Sequence, residues 1–326
     1  MTSITRQLAI GLFGLFTLLA ATGKDAFAQE FPMKTVRLVL PNGPSGGADL
    51  MARLYQQSLQ EMWKQPVVLE YKPGAAMAVA TEYVARSAPD GYIIGLVSTP
   101  LVINPSLRSN LPFDTVKDIS GVTLGTIAHI VLLASNGFPA HTTTDVIATA
   151  KRQSGGLNYA SPGAGTSMHL AMELLMRNTG IDMQHIPYKG SAPALLEIMA
   201  GRVPLMFSPL HPAIAYIKGG KLKAIAVASA ARARTHPDLP TIAETVPGFE
   251  VVSFSGMIVA SGTPRNVVRK LNADVVSVLK RPAFRAKLEE IGVEPVGNTP
   301  EQFDAYIKSE IEKWAPIVKA SGAQPD

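Results

Sequence analysis

Apolar segments with the period of a buried strand alternate with amphipathic segments along most of this 326-residue chain. Val36–Leu40 is β-branched and apolar enough to be buried on both faces of a sheet, whereas the residues from Ala48 onward carry apolar side chains at the helical period. The same unit of apolar strand, loop with glycine or proline, and amphipathic helix recurs along the chain. This alternation predicts an α/β protein.

The predicted strands fall into two sets, and each strand is followed by a loop. The first set is Val36–Leu40, Val67–Tyr71 and residues 93–97, and the second is residues 158–160, 184–186 and 205–207. Because ligands bind at the carboxyl ends of strands in open parallel sheets, we expect each set to present one binding edge. Two such edges that face one another would form a cleft.

Two longer strand-like stretches, residues 121–135 and 251–261, lie between and after these sets. Each is long enough to pass from one lobe to the other, and the chain then ends in helices at 264–279, 282–291 and from Thr299-Pro300 to about residue 319. We therefore predict one lobe made of residues 29–126 and 252–326 and a second made of residues 127–251. Two crossings form a two-strand hinge, so closure of the lobes is the expected motion.

The first 28 residues have the pattern of an export signal. Arg6 supplies a positive charge, residues 8–21 are apolar, and Ala26-Phe27-Ala28 is a small-x-small cleavage site before Gln29. The apolar run is too short to span a bilayer comfortably, which disfavours a membrane anchor as the alternative. We therefore predict cleavage after Ala28 and a location in the periplasm.

Composition excludes several classes of site. The chain has no cysteine, so it has no disulfide, no lipid-modified cysteine, no zinc-thiolate site and no cysteine nucleophile. The formal net charge of +5 becomes +4 without Arg6, Lys24 and Asp25, and the basic residues form no block, so nucleic acid is not an expected partner. The six histidines are dispersed without a second ligand at metal spacing, and we expect neither a metal nor a cofactor.

A glycine-rich turn between the first strand and its helix carries the first half of the predicted site. It contains Asn42, Ser45, Gly46 and Gly47, with Asp49 in the first turn of the helix. Glycines let backbone N–H groups approach a ligand closely, and the start of a helix adds the positive end of its dipole. The turn is therefore predicted to bind an anion without an arginine, and Asp49 to pair favourably with the helix dipole.

A second turn of this kind, here called the second glycine loop, spans residues 161–169. Gly163 and Gly165 offer backbone amides, and Ser161, Thr166 and Ser167 offer hydroxyls. Such a loop often only caps a helix, and the pairing of two loops on two lobes is what indicates a ligand.

The remaining predicted site residues lie outside the two glycine-rich turns or beneath them. Those that follow strands are Ser98, Thr99, Lys189, Gly190 and Ser208. His169 is expected to orient the second glycine loop. Lys189 would attract a second carboxylate of the ligand or remain a solvated loop lysine.

A serine hydrolase is the alternative from a different class. Gly43-Pro44-Ser45-Gly46-Gly47 matches the Gly-x-Ser-x-Gly nucleophile elbow and lies between a strand and a helix. However, Ser45 follows the first strand, so no earlier strand and loop supply the second oxyanion donor, and no acid and histidine stand out downstream. Catalysis is therefore not expected.

Motifs over essentially the whole mature chain resemble the Bug family of periplasmic receptors, the substrate-binding proteins of tripartite tricarboxylate transporters. Residues 41–49 resemble the family's Pro-Phe-x-x-Gly-Gly-x-x-Asp opening. Further matches follow in family order: Lys72-Pro73-Gly74-Ala75, Pro89-Asp90-Gly91-Tyr92, residues 157–161, His169-Leu170, Pro187-Tyr188-Lys189-Gly190, Gly262-Thr263-Pro264 and Glu312-Lys313-Trp314.

The resemblance implies an α/β, two-lobed fold of the periplasmic-binding-protein type (type II-like, Venus flytrap) with two crossover strands. It further implies a non-catalytic, monomeric receptor that closes on a small carboxylate, held by backbone amides and waters. Such a receptor delivers its ligand to a membrane permease, or in some members serves as a stand-alone sensor. We expect the amides of residues 45–47 and 98–99 to capture the carboxylate, and residues 163–167 and 189–190 to close onto its far end.

Three departures from the family pattern affect the identity of the ligand. Asn42 replaces the usual aromatic residue after Pro41, Met77 stands where a small or polar residue is usual, and Ser208-Pro209 stands where many members have Asp-Asn. An acidic residue in that last loop would suit a ligand amine. Its absence favours a di- or tricarboxylate or an aromatic acid over an amino acid.

Overall fold

The computed structural model describes residues 31–44, 46–153 and 155–324. The predicted leader, with its cleavage site after Ala28, and Ser45 lie outside the described residues. In chain order the elements are β1 (Val36–Leu40), α1 (Gly46–Trp63), β2 (Val67–Tyr71), α2 (Ala78–Ala85), β3 (Ile93–Ser98), α3 (Pro100–Leu107), β4 (Ile119–Ala134), α4 (Thr143–Arg152), β5 (Asn158–Ser161), α5 (Ser167–Thr179), β6 (Gln184–Pro187), α6 (Ser191–Met199), β7 (Leu205–Pro209), α7 (Leu210–Lys218), β8 (Lys223–Val227), β9 (Val252–Ala260), α8 (Arg265–Leu279), α9 (Pro282–Glu290), β10 (Val293–Pro295) and α10 (Pro300–Ser321).

The strands form one mixed sheet in the order β2-β1-β3-β9-β4-β7-β5-β6, with β8 and β10 also paired to β4. The first set, β2, β1 and β3, is parallel, and so is the second set, β6, β5 and β7. β9 and β4 lie between the sets and run antiparallel to their neighbours. The predicted α/β class with two crossover strands is confirmed.

The crossover strands differ slightly from their predicted limits. β4 covers Ile119–Ala134 and β9 covers Val252–Ala260. The predicted lobe boundary at 126/127 falls inside β4, and the boundary at 251/252 falls at the first residue of β9. The lobe limits themselves stay a prediction.

Buried side chains cover both faces of the sheet around β4. Ile130, Leu132 and Ala134 belong to one apolar cluster, whereas Val131 and Leu133 belong to another. Successive side chains of a strand point to opposite faces, so helices pack against β4 on both sides. This explains why β4 reads as a continuous apolar run rather than as an alternating pattern.

The C-terminal helix α10 packs directly against the crossover strands. The N–H group of Gly121 donates to Asp304 Oδ1 at 2.6 Å, and Thr123 Oγ1 donates to the carbonyl of Asn298 at 2.9 Å. A Cβ atom on Gly256 would lie 2.3 Å from Phe303 Cζ and 2.9 Å from the carbonyl oxygen of Thr123. The close approach of α10 to β9 therefore requires glycine at position 256.

Among the described residues, no helix combines the length and the apolar character needed to cross a membrane.

Replacing Gly256 by alanine should destabilise the protein by about 2 kcal/mol, since the new methyl group overpacks the contact with Phe303. Urea unfolding followed by circular dichroism measures the effect. Gly137→Ala is the control, because a Cβ atom at Gly137 has no neighbour within 4 Å. Equal stability of the two variants would contradict this account of the α10 contact.

Candidate functional site

A cavity of about 200 Å³ lies at the carboxyl ends of β1 and β3. Its floor comes from β4 and β9, and the segment around β10 forms a wall. The lining residues are Pro41, Asn42, Ala48, Met51, Leu96, Val97, Ser98, Thr126, Ala128, Ser253, Phe254, Ser255, Ile291 and Val293. The cavity thus lies at the strand ends that the sequence predicts for a binding edge in the first set.

The start of helix α1 opens onto this cavity. The helix begins at Gly46, and Ala48 in its first turn lines the cavity, as does Asn42 in the preceding turn. The first four N–H groups of an α-helix have no partner within the helix, and they carry the positive end of its dipole. This end of the cavity therefore favours a negatively charged group.

A row of hydroxyl side chains crosses the cavity floor. Ser98 of β3 is the register partner of Ser255 of β9, and Ser255 is in turn the partner of Thr126 of β4. Directly paired residues of neighbouring strands present their side chains on the same face of a sheet, so these three form a hydroxyl row.

Two hydroxyl groups of the row donate only weak hydrogen bonds. Ser98 Oγ donates to Met77 Sδ at 3.3 Å, and Thr126 Oγ1 donates to Met51 Sδ at 3.8 Å. A thioether sulfur is a weak acceptor, so a better acceptor in the cavity would compete with it easily.

No acidic, basic or histidine side chain is among the described residues that line the cavity. Asp49, one residue beyond Ala48, is already satisfied: its carboxylate accepts hydrogen bonds from the Tyr71 hydroxyl at 2.6 Å and from Arg53 Nε at 3.0 Å. The Tyr71 hydrogen bond and the Arg53 guanidinium hold the pKa of Asp49 below its usual value. An anion in the cavity would therefore be held by neutral groups.

The loop after β2 brings Met77 to the hydroxyl row through a strained turn. Ala75, Ala76 and Met77 have φ angles of 46°, 46° and 79°, which lie in the left-handed region that L residues seldom adopt. Asn104 Nδ2 donates to the carbonyl of Ala76 at 2.7 Å and helps to hold the turn. Backbone strain of this kind is often concentrated at binding sites.

Thr99 has a positioning contact rather than a place in the cavity lining. It precedes α3, it is buried, and its Oγ1 accepts the N–H group of Phe254 at 3.3 Å. The turn after β3 is thereby attached to β9 beside the hydroxyl row.

Buried side chains hold the second glycine loop in one conformation. Ser161 Oγ accepts the N–H group of Gly163 at 3.1 Å, and His169 Nδ1 accepts the N–H group of Gly165 at 3.1 Å. Thr166 caps α5 by accepting the N–H group of His169 at 3.3 Å. His169 thus orients the loop from beneath, through a hydrogen bond to its backbone.

The backbone conformation at Gly165 favours glycine, and a Cβ atom there would make a tight contact. Its φ of 72° is left-handed, and a Cβ atom there would lie 3.1 Å from Leu107 Cδ2 at the end of α3. The second glycine loop therefore packs against the helix that follows β3.

Two imidazole rings and a carboxylate lie below this loop. The rings of His169 and His185 stack with centroids 3.9 Å apart, and Glu173 Oε1 accepts the Tyr159 hydroxyl at 2.6 Å. Burial, with His169 nearby, lowers the pKa of His185 to about 4. Burial opposes ionisation of Glu173, but the hydrogen bonds from His169 and Tyr159 outweigh it and lower its pKa.

The pairing of Ser161 with His185 has the residue types of a hydrolase but not the access. Ser161 Oγ lies 2.6 Å from His185 Nε2, yet the side chain of Ser161 is fully buried. A nucleophile needs contact with the substrate carbonyl, which this burial prevents. The pair instead fixes the backbone of the second glycine loop.

The predicted site residues thus divide into two groups. Asn42 and Ser98 line the cavity, as does Ala48, whereas Gly46 and Gly47 are the first two residues of α1. The residues of the second glycine loop gather around Ser161 and His169, and none of them lines the cavity. Lys189 is exposed beside this loop, Gly190 has a φ of 105°, and Ser208 is fully buried.

Sequence reasoning missed Thr126, Ser253 and Ser255 on the cavity floor. A signal was available, because Ser253 and Ser255 stand at alternate positions of a predicted apolar crossover strand. No comparable signal marks Ile291 and Val293, which reach the cavity only through the pairing of β10 with β4.

In the described part of the chain, no group of three His, Asp or Glu side chains is placed to hold a metal ion.

The two strand sets, the paired crossover strands and the cavity at the strand ends define a solute-binding protein of the two-lobed periplasmic type. Residues 51–323 match the family model described as the tripartite tricarboxylate transporter family receptor, and the chain belongs to this family. Its members are periplasmic binding proteins. The resemblance noted in the sequence is therefore confirmed.

The chain is similar to several known proteins over nearly its whole length. It is 37% identical to a UPF0065 protein of Bordetella pertussis (strain Tohama I) over 94% of this chain and 95% of that protein. The structure of R. palustris Rpa4515 with adipate has a TM-score of 0.74 and 31% identity, and covers 91% of this chain and 100% of its own. The periplasmic binding protein BugD has a TM-score of 0.71 and 32% identity, with the same coverage.

Lowering the pH should reduce the stability of the folded protein, partly because His185 takes up a proton more readily in the unfolded chain. Its pKa of about 4 in the folded protein is below the ordinary 6.5, so the unfolded chain binds more protons between these values. Stability should therefore be level above pH 6.5 and fall as the pH drops toward 4. The loss attributable to His185 is on the order of 2 kcal/mol.

Urea midpoints at several pH values, compared between the parent and His185→Asn, isolate this contribution from that of the carboxylates. The parent should lose more stability than the variant between pH 6.5 and pH 4. Parallel pH profiles for the two proteins would show that His185 is not buried in its neutral form.

Proposed function

We propose that this protein is a non-catalytic periplasmic receptor that captures a small carboxylate in the cavity between α1 and the hydroxyl row. The observation that carries the proposal is the start of a helix opening onto a cavity with neutral donors and no charged lining residue. The adipate bound by the related structure supports a carboxylate as the ligand.

Neutral donors are sufficient for useful affinity in such a site. A hydrogen bond to a charged group contributes about 1.5–3 kcal/mol, and micromolar binding needs about 8 kcal/mol. Asn42, the hydroxyl row and the amides at the start of α1 together supply enough donors for that. Exclusion of water on closure would strengthen each of them.

The second glycine loop is the proposed far side of the site. We assign one lobe to residues 29–126 and 252–326 and the other to residues 127–251, with β4 and β9 as the hinge. Hinge closure would then bring residues 163–167 and 189–190 onto the ligand. Ser161 and His169 accept hydrogen bonds from the backbone of this loop and fix its conformation. This supports that role, because a loop that is already ordered loses less conformational entropy when the ligand binds.

The proposed cellular role follows from the family. The mature protein would begin after cleavage at Ala28, diffuse as a monomer in the periplasm, and deliver its ligand to the membrane permease of a tripartite transporter. A stand-alone sensor of the same fold would use the same site and a different partner.

Calorimetry with protein refolded from urea to remove carried-over ligand tests the proposal. We expect at least one of adipate, hexanoate and benzoate to bind with micromolar affinity, and Gly165→Val to weaken it at least tenfold. The valine would distort the second glycine loop and clash with Leu107.

Gly180→Val is the matched control, because Gly180 has a similar φ of 66° at the end of α5 and open space around its Cβ position. It should impose a similar backbone strain without the contact with Leu107, and it should leave affinity unchanged. Equal ligand affinity in the Gly165 variant and the parent would remove the second glycine loop from the site. If none of the three acids bound, the proposal of a carboxylate receptor would itself be wrong.

A further inference from the structure

We infer that the ligand is a monocarboxylate with a hydrocarbon body, rather than a dicarboxylate. The inference rests on the proposed function and concerns the two ends of the same cavity. The hydroxyl row, facing the start of α1, would hold the carboxylate. The wall formed by Ile291 and Val293 would contact the hydrocarbon body.

The register of the strands separates these two ends. Ser98, Ser255 and Thr126 form one row across β3, β9 and β4. The next row in the same direction along β4 pairs Ser253 with Ala128 and Ala128 with Val293. In this second row only Ser253 of β9 carries a hydroxyl, and the side toward β10, formed by Ala128 and Val293, is apolar.

The wall formed by Ile291 and Val293 offers no partner to a second carboxylate. Ile291 and Val293 supply only hydrocarbon, and no basic side chain is among the described lining residues of the cavity. Burying an ionised carboxylate without a cation or hydrogen-bond donors is strongly unfavourable. A methyl or phenyl group at the same place would gain from burial instead.

The lining also discriminates against a ligand amine. An ammonium group needs a carboxylate or several acceptors, whereas the nearby carboxylate of Asp49 is already occupied by Tyr71 and Arg53. A cavity of about 200 Å³ is smaller than the roughly 300–1,000 Å³ of drug-sized ligand pockets, so the ligand is small.

Hexanoate and adipate form a matched pair of ligands, because both have six carbons and adipate adds only the second carboxylate. Calorimetry on the refolded full chain should show hexanoate binding at least tenfold more tightly. Tighter binding of adipate would overturn the inference and leave the carboxylate receptor intact. Failure of both acids and of benzoate to bind would instead contradict the proposed function.

A charge introduced at the apolar wall should reverse the preference. Val293→Lys places a cation at the proposed position of the second carboxylate, so adipate affinity should rise at least tenfold relative to hexanoate. Val296→Lys is the matched control, since Val296 is exposed and does not line the cavity, and it should change neither affinity. An unchanged ratio of the two affinities in the Val293 variant would contradict the assignment of this wall to the hydrocarbon end.

Two further variants test the ends separately. Ser255→Ala should weaken hexanoate and adipate by the same factor, whereas a loss confined to adipate would place its second carboxylate, not the first, on the hydroxyl row. Lys189→Met should change the affinities for hexanoate and adipate by the same factor. A selective loss of adipate binding in the Lys189 variant would show that this loop lysine binds a second carboxylate, which overturns the inference.

Discussion

The antiparallel pairing of β4 with β9 joins parts of the chain that are far apart in sequence. β9 also pairs with β3, so the hydroxyl groups of residues 98, 126 and 255 come to lie side by side on three neighbouring strands. Backbone hydrogen bonds set this register, and a shift by one residue would turn every side chain of the row to the opposite face. The cavity floor therefore depends on the ladder more than on any local motif.

The same strands are held from behind by α10. Gly121 and Gly256 leave room for Phe303, and Asp304 accepts a hydrogen bond from the backbone of Gly121. A helix that packs so closely against both crossover strands restrains their relative position. At the same time β10 pairs with β4 beside the cavity and adds the apolar wall. The C-terminal segments thus shape a site whose first residues lie near the start of the described part of the chain.

Holding an anion with neutral donors, as proposed for this cavity, would suit a receptor that has to release its ligand. A buried ion pair is costly to form and costly to break, whereas several neutral donors can exchange a carboxylate for water in steps. The side chains around the cavity are consistent with this, since Asp49 is paired with Arg53 and accepts a hydrogen bond from Tyr71 outside the lining. The ionisable cluster of His185 and Glu173 lies beneath the second glycine loop, where His185 contacts the Ser161 hydroxyl and Glu173 accepts the Tyr159 hydroxyl.

Local sequence pattern correctly predicted the elements whose limits are set by residues a few positions away. β1 and β2 have their predicted limits, and Gly180 ends α5 in the left-handed conformation, as its position after the helical pattern indicated. The turns that open α1 and α5 were recognisable because glycine and capping residues act within a few positions. The lobe limits, predicted from the two strand-like stretches at residues 121–135 and 251–261, stay a prediction.

Other features have causes that are distant along the chain, and the sequence alone did not reveal them. β10 has three residues, and it becomes a strand by pairing with residues 126–128 of β4, just before the segment of β4 that pairs with β7. α4 and β8 were not predicted either, although Thr142 and Asp145 form a capping box at the start of α4. The apolar wall and the hydroxyl row depend on pairing across strands, so their shared location needed the structure.

A crystal structure of the refolded protein with its bound carboxylate tests the central claim most directly. The account predicts carboxylate oxygens within about 3.2 Å of the hydroxyl row and of the amides at the start of α1, with no lysine or arginine nitrogen in contact. A carboxylate paired with a lysine or arginine side chain, or bound outside this cavity, would contradict it.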